Sequence, residues 1–224
     1  MAKQKISFKI PPKLWENFKA QTDSLFLSRA PFLDHMLSKE LPELRRDLGE
    51  RELSLRAKRY IAGELKRQGA KSVNIEVAVE TARALDDAVE AHNLVRDAFI
   101  CRLIIFLRGS DALLNHLDVP LTIGTRMAGG SVEQMPTSPL KAFEAVRDDP
   151  LFYARVGVRH TFGLGIYDVP LPPAWDWATC WIDDAHVPGT PAYKLEREEA
   201  AAMFEKEEKE ILARPAQRRK EANK

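Results

Sequence analysis

Residues 5–37 read KISFKIPPKLWENFKAQTDSLFLSRAPFLDHML, and the order of elements in them is strand, helix, helix. Lys5-Ile6-Ser7-Phe8-Lys9-Ile10 alternates strictly. Apolar Ile6, Phe8 and Ile10 share one face and Lys5, Ser7 and Lys9 the other, which is the period of a half-buried strand. Pro11-Pro12 ends the strand and supplies a suitable first turn for a helix over PPKLWENFKAQTDSLF, whose apolar stripe is Leu14, Phe18 and Leu25. Ser28 is a natural N-cap for a second helix, SRAPFLDHMLSKEL, with Phe32, Leu33, Met36 and Leu37 on one face.

The same order returns at an offset of 67 residues without a gap. Val73, Ile75 and Val77 take the places of Ile6, Phe8 and Ile10, and Ser72, Asn74 and Glu76 those of Lys5, Ser7 and Lys9. Leu85 matches Phe18. LVRDAFICRLI (94–104) lies over LSRAPFLDHML (27–37), with Leu27/Leu94, Arg29/Arg96 and Phe32/Phe99 identical and apolar matches at Leu33/Ile100, Met36/Leu103 and Leu37/Ile104. Pattern repeats here rather than residues: Leu14 meets Thr81 and Leu25 meets His92. Two unrelated strand-helix-helix stretches in one α+β domain is the other reading.

A lone strand with two amphipathic helices leaves its edges unpaired and covers too little apolar area, so it needs a second copy. Antiparallel pairing of residues 5–10 with 72–77 makes a two-stranded ribbon whose inner face packs on four helices. Its outer face then carries Lys5, Ser7 and Lys9 beside Ser72, Asn74 and Glu76. A two-stranded ribbon fits the DNA major groove, where Lys reaches guanine O6/N7 and Asn adenine N6/N7. The expected class is α+β and mainly helical.

In KISFKIPPKLWENFKAQTDSLFLSRAPFLDHML and VNIEVAVETARALDDAVEAHNLVRDAFICRLI the chain resembles the ribbon-helix-helix (MetJ/Arc) superfamily, in the tandem single-chain form found in a conjugation protein. The resemblance covers residues 3 to about 110. It implies base reading by Lys5, Ser7, Lys9, Ser72, Asn74 and Glu76, with phosphates held at the N-termini of the second helices by Ser28, Arg29 and Arg96 and by Lys3 beside the ribbon. Two positions depart from the pattern. Glu76 sets a carboxylate on the reading face, able to accept from cytosine N4 or to repel the backbone, and Val95 stands where a polar cap is expected. Unequal halves predict an unequal, non-palindromic site.

Residues 1–117 are therefore expected to form one tandem domain, with copies at about 3–40 and 70–110 and a helical connector at 41–69. The connector's apolar positions are Leu53, Leu55, Ala57, Tyr60, Ile61 and Leu65, and Gly69 closes it. Its many basic residues make either a solvated face or an auxiliary phosphate surface. Residues 118–139, with three Pro and three Gly, read as a linker, and 140–224 as an accessory region. In that region PLKAFEAVRDDPLFYARVGV predicts one or two short helices and Phe162, Leu164 and Ile166 a strand. LEREEAAAMFEKEEKEILARPAQRRKEANK predicts a charged helix whose Leu195, Ala202, Phe204 and Ile211 dock on the body or a partner. Trp175, Trp177 and Trp181 form either core or a stacking platform.

Charge divides along the chain. The total is +1, but residues 1–70 hold 15 basic and 9 acidic side chains and residues 111–190 hold 5 and 10. No apolar run spans a bilayer and the N-terminus has no apolar leader core, so a cytoplasmic location at the nucleoid or a plasmid is expected. Cys101 and Cys180 sit in apolar settings and read as buried thiols rather than a disulfide. Cys180, Asp183, Asp184 and His186 match no metal-site spacing, Gly163 and Gly165 no dinucleotide fingerprint, and His160 has no adjacent nucleophile, so no cofactor and no enzyme activity is expected. The expected partner is double-stranded DNA, bound by a single-chain pseudo-dimer able to associate further on it. Repressor, plasmid-transfer accessory and antitoxin are the roles that fit. The other class is a degenerate ribbon-helix-helix assembly module that binds a protein through its C-terminal region.

Overall fold

Ile6, Phe8 and Ile10 turn inward and Lys5, Ser7 and Lys9 stay in solvent along strand β1 (Lys3–Ile10). The structure is a computed structural model that describes residues 2–119, 147–172, 174–195, 198, 199 and 202. After β1 come helices α1 (Pro12–Ser24), α2 (Arg29–Leu48) and α3 (Leu55–Arg67), then β2 (Lys71–Ala78), α4 (Val79–Ala91), α5 (Arg96–Arg108), α6 (Asp111–His116) and α7 (Phe152–Phe162). Short 3-10 turns lie at Asp176–Ala178 and Asp184–His186. The architecture is α+β, with β1 and β2 paired antiparallel in a two-stranded sheet. Burial of Ile6, Phe8, Ile10, Ile75 and Val77 on the helices contributes about 1.5–3 kcal/mol for each side chain.

The 67-residue offset holds in the backbone. Helices α1 and α4 begin at 12 and 79 and end at 24 and 91, and α2 and α5 begin at 29 and 96. The turns agree as well: Phe26 and Asn93 have φ of 56° and 51°, and the N–H groups of Leu27 and Leu94 donate to Thr22 O and Val89 O, both at 2.9 Å. Thr81 is buried at the place of Leu14, so the mismatch still fills a core position.

The copies diverge after the second helix. Helix α2 continues through Pro42 to Leu48 because Leu41, Leu44 and Leu48 extend its buried face; the connector expected over 41–69 is thus part of α2 followed by the separate helix α3. Ser54 caps α3, accepting from Ala57 N at 3.0 Å, and Gly69 follows the helix with φ 66°. Leu55 departs from its expected place in the stripe: it occupies the first helical position and faces solvent. In the second copy Gly109, the equivalent of Pro42, takes φ 44° and stops α5, and the chain restarts as α6 under the Ser110 cap.

Every side chain of α5 from Ala98 to Phe106 is buried. Strand β1 and α1 cover part of it, and the segment around Asp176–Ala178 covers another part. The buried Arg102 ties α5 to a third segment, donating from Nε to Ile166 O at 2.6 Å and from Nη2 to Val169 O. Burial lowers its pKa, with Cys180, Tyr167, Asp168 and Asp47 pulling the other way. Cys101 and Cys180 are both free, buried thiols, and burial pushes Cys180 up to about 12.

The expected strand over Phe162, Leu164 and Ile166 is replaced by the end of a helix. Phe162 is the last residue of α7, and Gly163 at φ 66° returns its N–H to Arg159 O at 3.0 Å, after which the N–H groups of Asp168 and Val169 turn back to Gly165 O. Helix α7 is bound to α2 by a buried charged cluster. Arg155 pairs with Glu40 and Asp149, Tyr167 Oη donates to Glu40 Oε2 at 2.8 Å, and Arg159 Nη2 reaches Glu43 and Asp47 at 2.8 and 2.9 Å. Burial pushes the Glu40 carboxyl up to about 7, against the pull of Arg155 and Tyr167. Trp177 is buried and donates to Ala174 O at 3.0 Å, and Trp181 lies under the Arg51 guanidinium at 4.5 Å, so both serve as packing surface.

The chain divides into two compact units, Met1–Trp181 and Ile182–Lys224, so residues 147–181 belong with the N-terminal elements rather than with a separate region from 140 onward. The linker expected over 118–139 lies, beyond Val119, outside the described residues, as does most of the expected C-terminal charged helix. In the second unit Asp183 accepts from Ala185 N at 2.8 Å, and buried Thr190 donates to Val187 O and accepts from Tyr193 N.

Candidate nucleic-acid interface

The ribbon's register pairs Ser7 with Asn74, its own repeat equivalent, so an approximate twofold passes through that pair. Lys5 then faces Glu76 and Lys9 faces Ser72, while Lys3 lies opposite Ala78. All six residues expected to read bases are exposed on one face. Ser7 Oγ and Ser72 Oγ are 2.9 Å apart in a hydrogen bond across the strands, which fixes two of the short side chains at the centre of the face.

Each strand is pinned by the second helix of the other copy. At the end of β1, Asp97 of α5 takes a hydrogen bond from the Lys9 backbone and Cys101 Sγ donates to Lys9 O at 3.5 Å. At the end of β2, Asp34 Oδ2 of α2 accepts from Ala78 N at 3.0 Å. Burial raises the Asp97 pKa, with the Lys9 hydrogen bond opposing it. These bonds tie an end of each strand to the helices beneath the ribbon.

Ser28 and Val95 precede α2 and α5 in extended conformation, and neither side chain caps its helix. The helix dipole favours an anion at both N-termini, but the donors there are few: Pro31 of α2 has no N–H, and in α5 Ala98 N already donates to Val95 O at 3.0 Å while Asp97 sets a carboxylate in the first turn. Arg29 and Arg96 open the two helices, and each is engaged by an acid of the preceding helix: Arg29 Nη1 with Asp23 Oδ1 at 2.6 Å, Arg96 Nη1 with Asp86 Oδ1 at 3.4 Å. The pairs orient the guanidinium groups and lower the local positive charge.

Alongside the ribbon runs an open groove of about 770 Å³ that joins Asn74 and Glu76 of β2 to Ser28 and Arg29, with Trp15 and Lys19 of α1 on its wall. Those last two residues were not among the sequence candidates. Trp15 sits beside the α1 stripe, its ring 6.1 Å from Phe8 and 5.7 Å from Phe18, and a large aromatic on the flank of an amphipathic helix is the one signal for it. Among the described residues no group of three His, Cys, Asp or Glu side chains is placed to hold a metal ion, and no helix among them is long and apolar enough to cross a membrane. No protein-family model, no curated protein and no solved structure matches the chain.

Proposed function

We propose that this chain binds double-stranded DNA sequence-specifically as a tandem ribbon-helix-helix protein, one chain supplying both strands and all four helices, and acts as a transcriptional repressor or as an accessory DNA-binding protein of a plasmid or other mobile element. One observation carries the reading. The exposed face of the antiparallel ribbon holds Lys5, Ser7, Lys9, Ser72, Asn74 and Glu76 about an approximate twofold at Ser7/Asn74. Laid in a major groove, that face gives Lys5 and Lys9 access to guanine acceptors and Asn74 to an adenine edge, each good bidentate contact discriminating by about 1–3 kcal/mol. The N-termini of α2 and α5 fix the register on phosphates without reading sequence. No chemical step is involved.

The test is duplex binding at two salt concentrations, after a site has been selected from a random duplex pool. Affinity should fall steeply with salt, and Lys5→Ala/Lys9→Ala should erase the preference for the selected site. Salt-independent binding, or an unchanged preference in the double variant, would sink the proposal. One observation favours a protein-assembly reading of the same ribbon: Glu76 opposes Lys5, and Arg29 and Arg96 are already matched by acids. Under that reading the pool selection returns no enriched sequence.

A further inference from the structure

The copies differ sharply in what covers the turn between their first and second helices. In the second copy the turn His92–Asn93 lies under Arg51-Glu52-Leu53-Ser54. Leu53 N donates to His92 O at 2.9 Å, Asn93 Nδ2 to Leu53 O at 2.7 Å, and His92 Nδ1 bonds Arg51 O at 2.9 Å, with Leu53 and His92 both buried. The equivalent turn of the first copy is Leu25–Phe26, where Leu25 is 59% and Phe26 96% exposed. Phe26 is also held at φ 56°, a conformation in which a bulky side chain is strained, and such strain persists where the surroundings or a function require it. Beside the turn opens an apolar groove of about 220 Å³, lined by Phe18, Thr22, Leu25, Leu27, Phe32 and Leu107, with Arg147 also on its wall.

We propose that this turn and groove form a docking site for a short extended segment of a protein partner, one carrying an aliphatic side chain next to a carboxylate. The molecule holds its own template for the aliphatic anchor, since Leu53 sits buried and backbone-bonded on the equivalent turn of the other copy. Arg147 supplies the cation that a carboxylate beside the aliphatic anchor would meet. Area argues for a segment rather than a second copy of the chain. Leu25 and Phe26 together expose roughly 300 Å², well short of the ~800 Å² per partner of a stable interface between folded chains.

The probe is the synthetic peptide GERELSLR, residues 49–56 of this chain, titrated into the full-length ¹⁵N-labelled protein. Saturable shifts are expected at Phe18–Phe32 and Leu107. A peptide carrying Leu53→Asp should bind about tenfold more weakly, the loss of one buried aliphatic side chain. A Phe26→Asn chain, which carries the residue of the equivalent turn, should keep its fold and also bind about tenfold more weakly. The proposal is overturned by a folded spectrum with no shifts at the turn, by shifts at His92 and Asn93 instead, or by equal response to the Leu53→Asp peptide. Undiminished binding to Phe26→Asn also overturns it, as do concentration-dependent shifts at the turn without peptide, which would make a second copy the occupant.

Discussion

Phe26 and Asn93 occupy equivalent places at nearly the same positive φ, and only Asn tolerates it readily. Phe26→Asn should therefore raise stability by about 1 kcal/mol, read by thermal or denaturant unfolding; a loss of stability would show that the positive φ costs Phe26 nothing at this turn. Glu40 offers a second test at this scale. Its carboxyl is raised by burial to about 7 in the folded chain, so the folded state binds more protons than the unfolded between about pH 4.5 and 7, and stability falls as pH rises through that window. The stability of the wild type relative to Glu40→Gln should accordingly drop by about 3 kcal/mol between pH 4.5 and 8. A difference that stays flat, or grows with pH, would mean that Arg155 keeps the group ionised throughout. At Gly165 an added Cβ would fall on the Asp47 carboxylate, which accepts from Arg159 and from Tyr167 N. Gly165→Ala should cost about 1–3 kcal/mol by displacing that acceptor, measured as a lowered denaturant midpoint with unchanged m-value.

Among elements, the ribbon was the most legible, because alternation with period two is a local signal and the 67-residue offset locates the partner strand. The two halves of its face are chemically different, and base selection should show it. Lys5→Ala should relax preference in one half-site and Lys9→Ala in the other, since they flank the Ser7/Asn74 centre on opposite sides, each by about 1–3 kcal/mol at its own position. Equal relaxation of both half-sites by either variant would contradict an ordered, asymmetric docking. The candidate phosphate contacts were legible only in part: Ser28, Arg29 and Arg96 could be placed from the pattern, but Asp23 and Asp86, the acid partners of the two arginines, lie six and ten residues away on another helix. The segment Phe162–Ile166 misled because alternation and a helix end followed by a turn look alike there; the left-handed Gly163 decides between them. The continuous apolar runs Ala98–Cys101 and Leu103–Leu107 are the mark in the sequence of a helix covered on all sides. What covers it was hidden, since Arg102 reads as a surface charge until its carbonyl acceptors, 64 and 67 residues on, are known.

For the whole molecule, both halves of the β1–β2 ribbon and the helices that pin them belong to one chain. Unfolding of the Met1–Trp181 unit should not depend on protein concentration, and its midpoint should stay constant over a hundredfold dilution; a midpoint that falls on dilution would mean that a second chain completes the fold. The cross-pinning of β1 by α5 and of β2 by α2 has a further effect. A ribbon assembled from two chains can be spoiled by a defective subunit that exchanges into it. Here neither strand can be traded for a foreign one without breaking the chain's own core, so a damaged copy of the protein has no route for poisoning intact molecules by passing a strand into them.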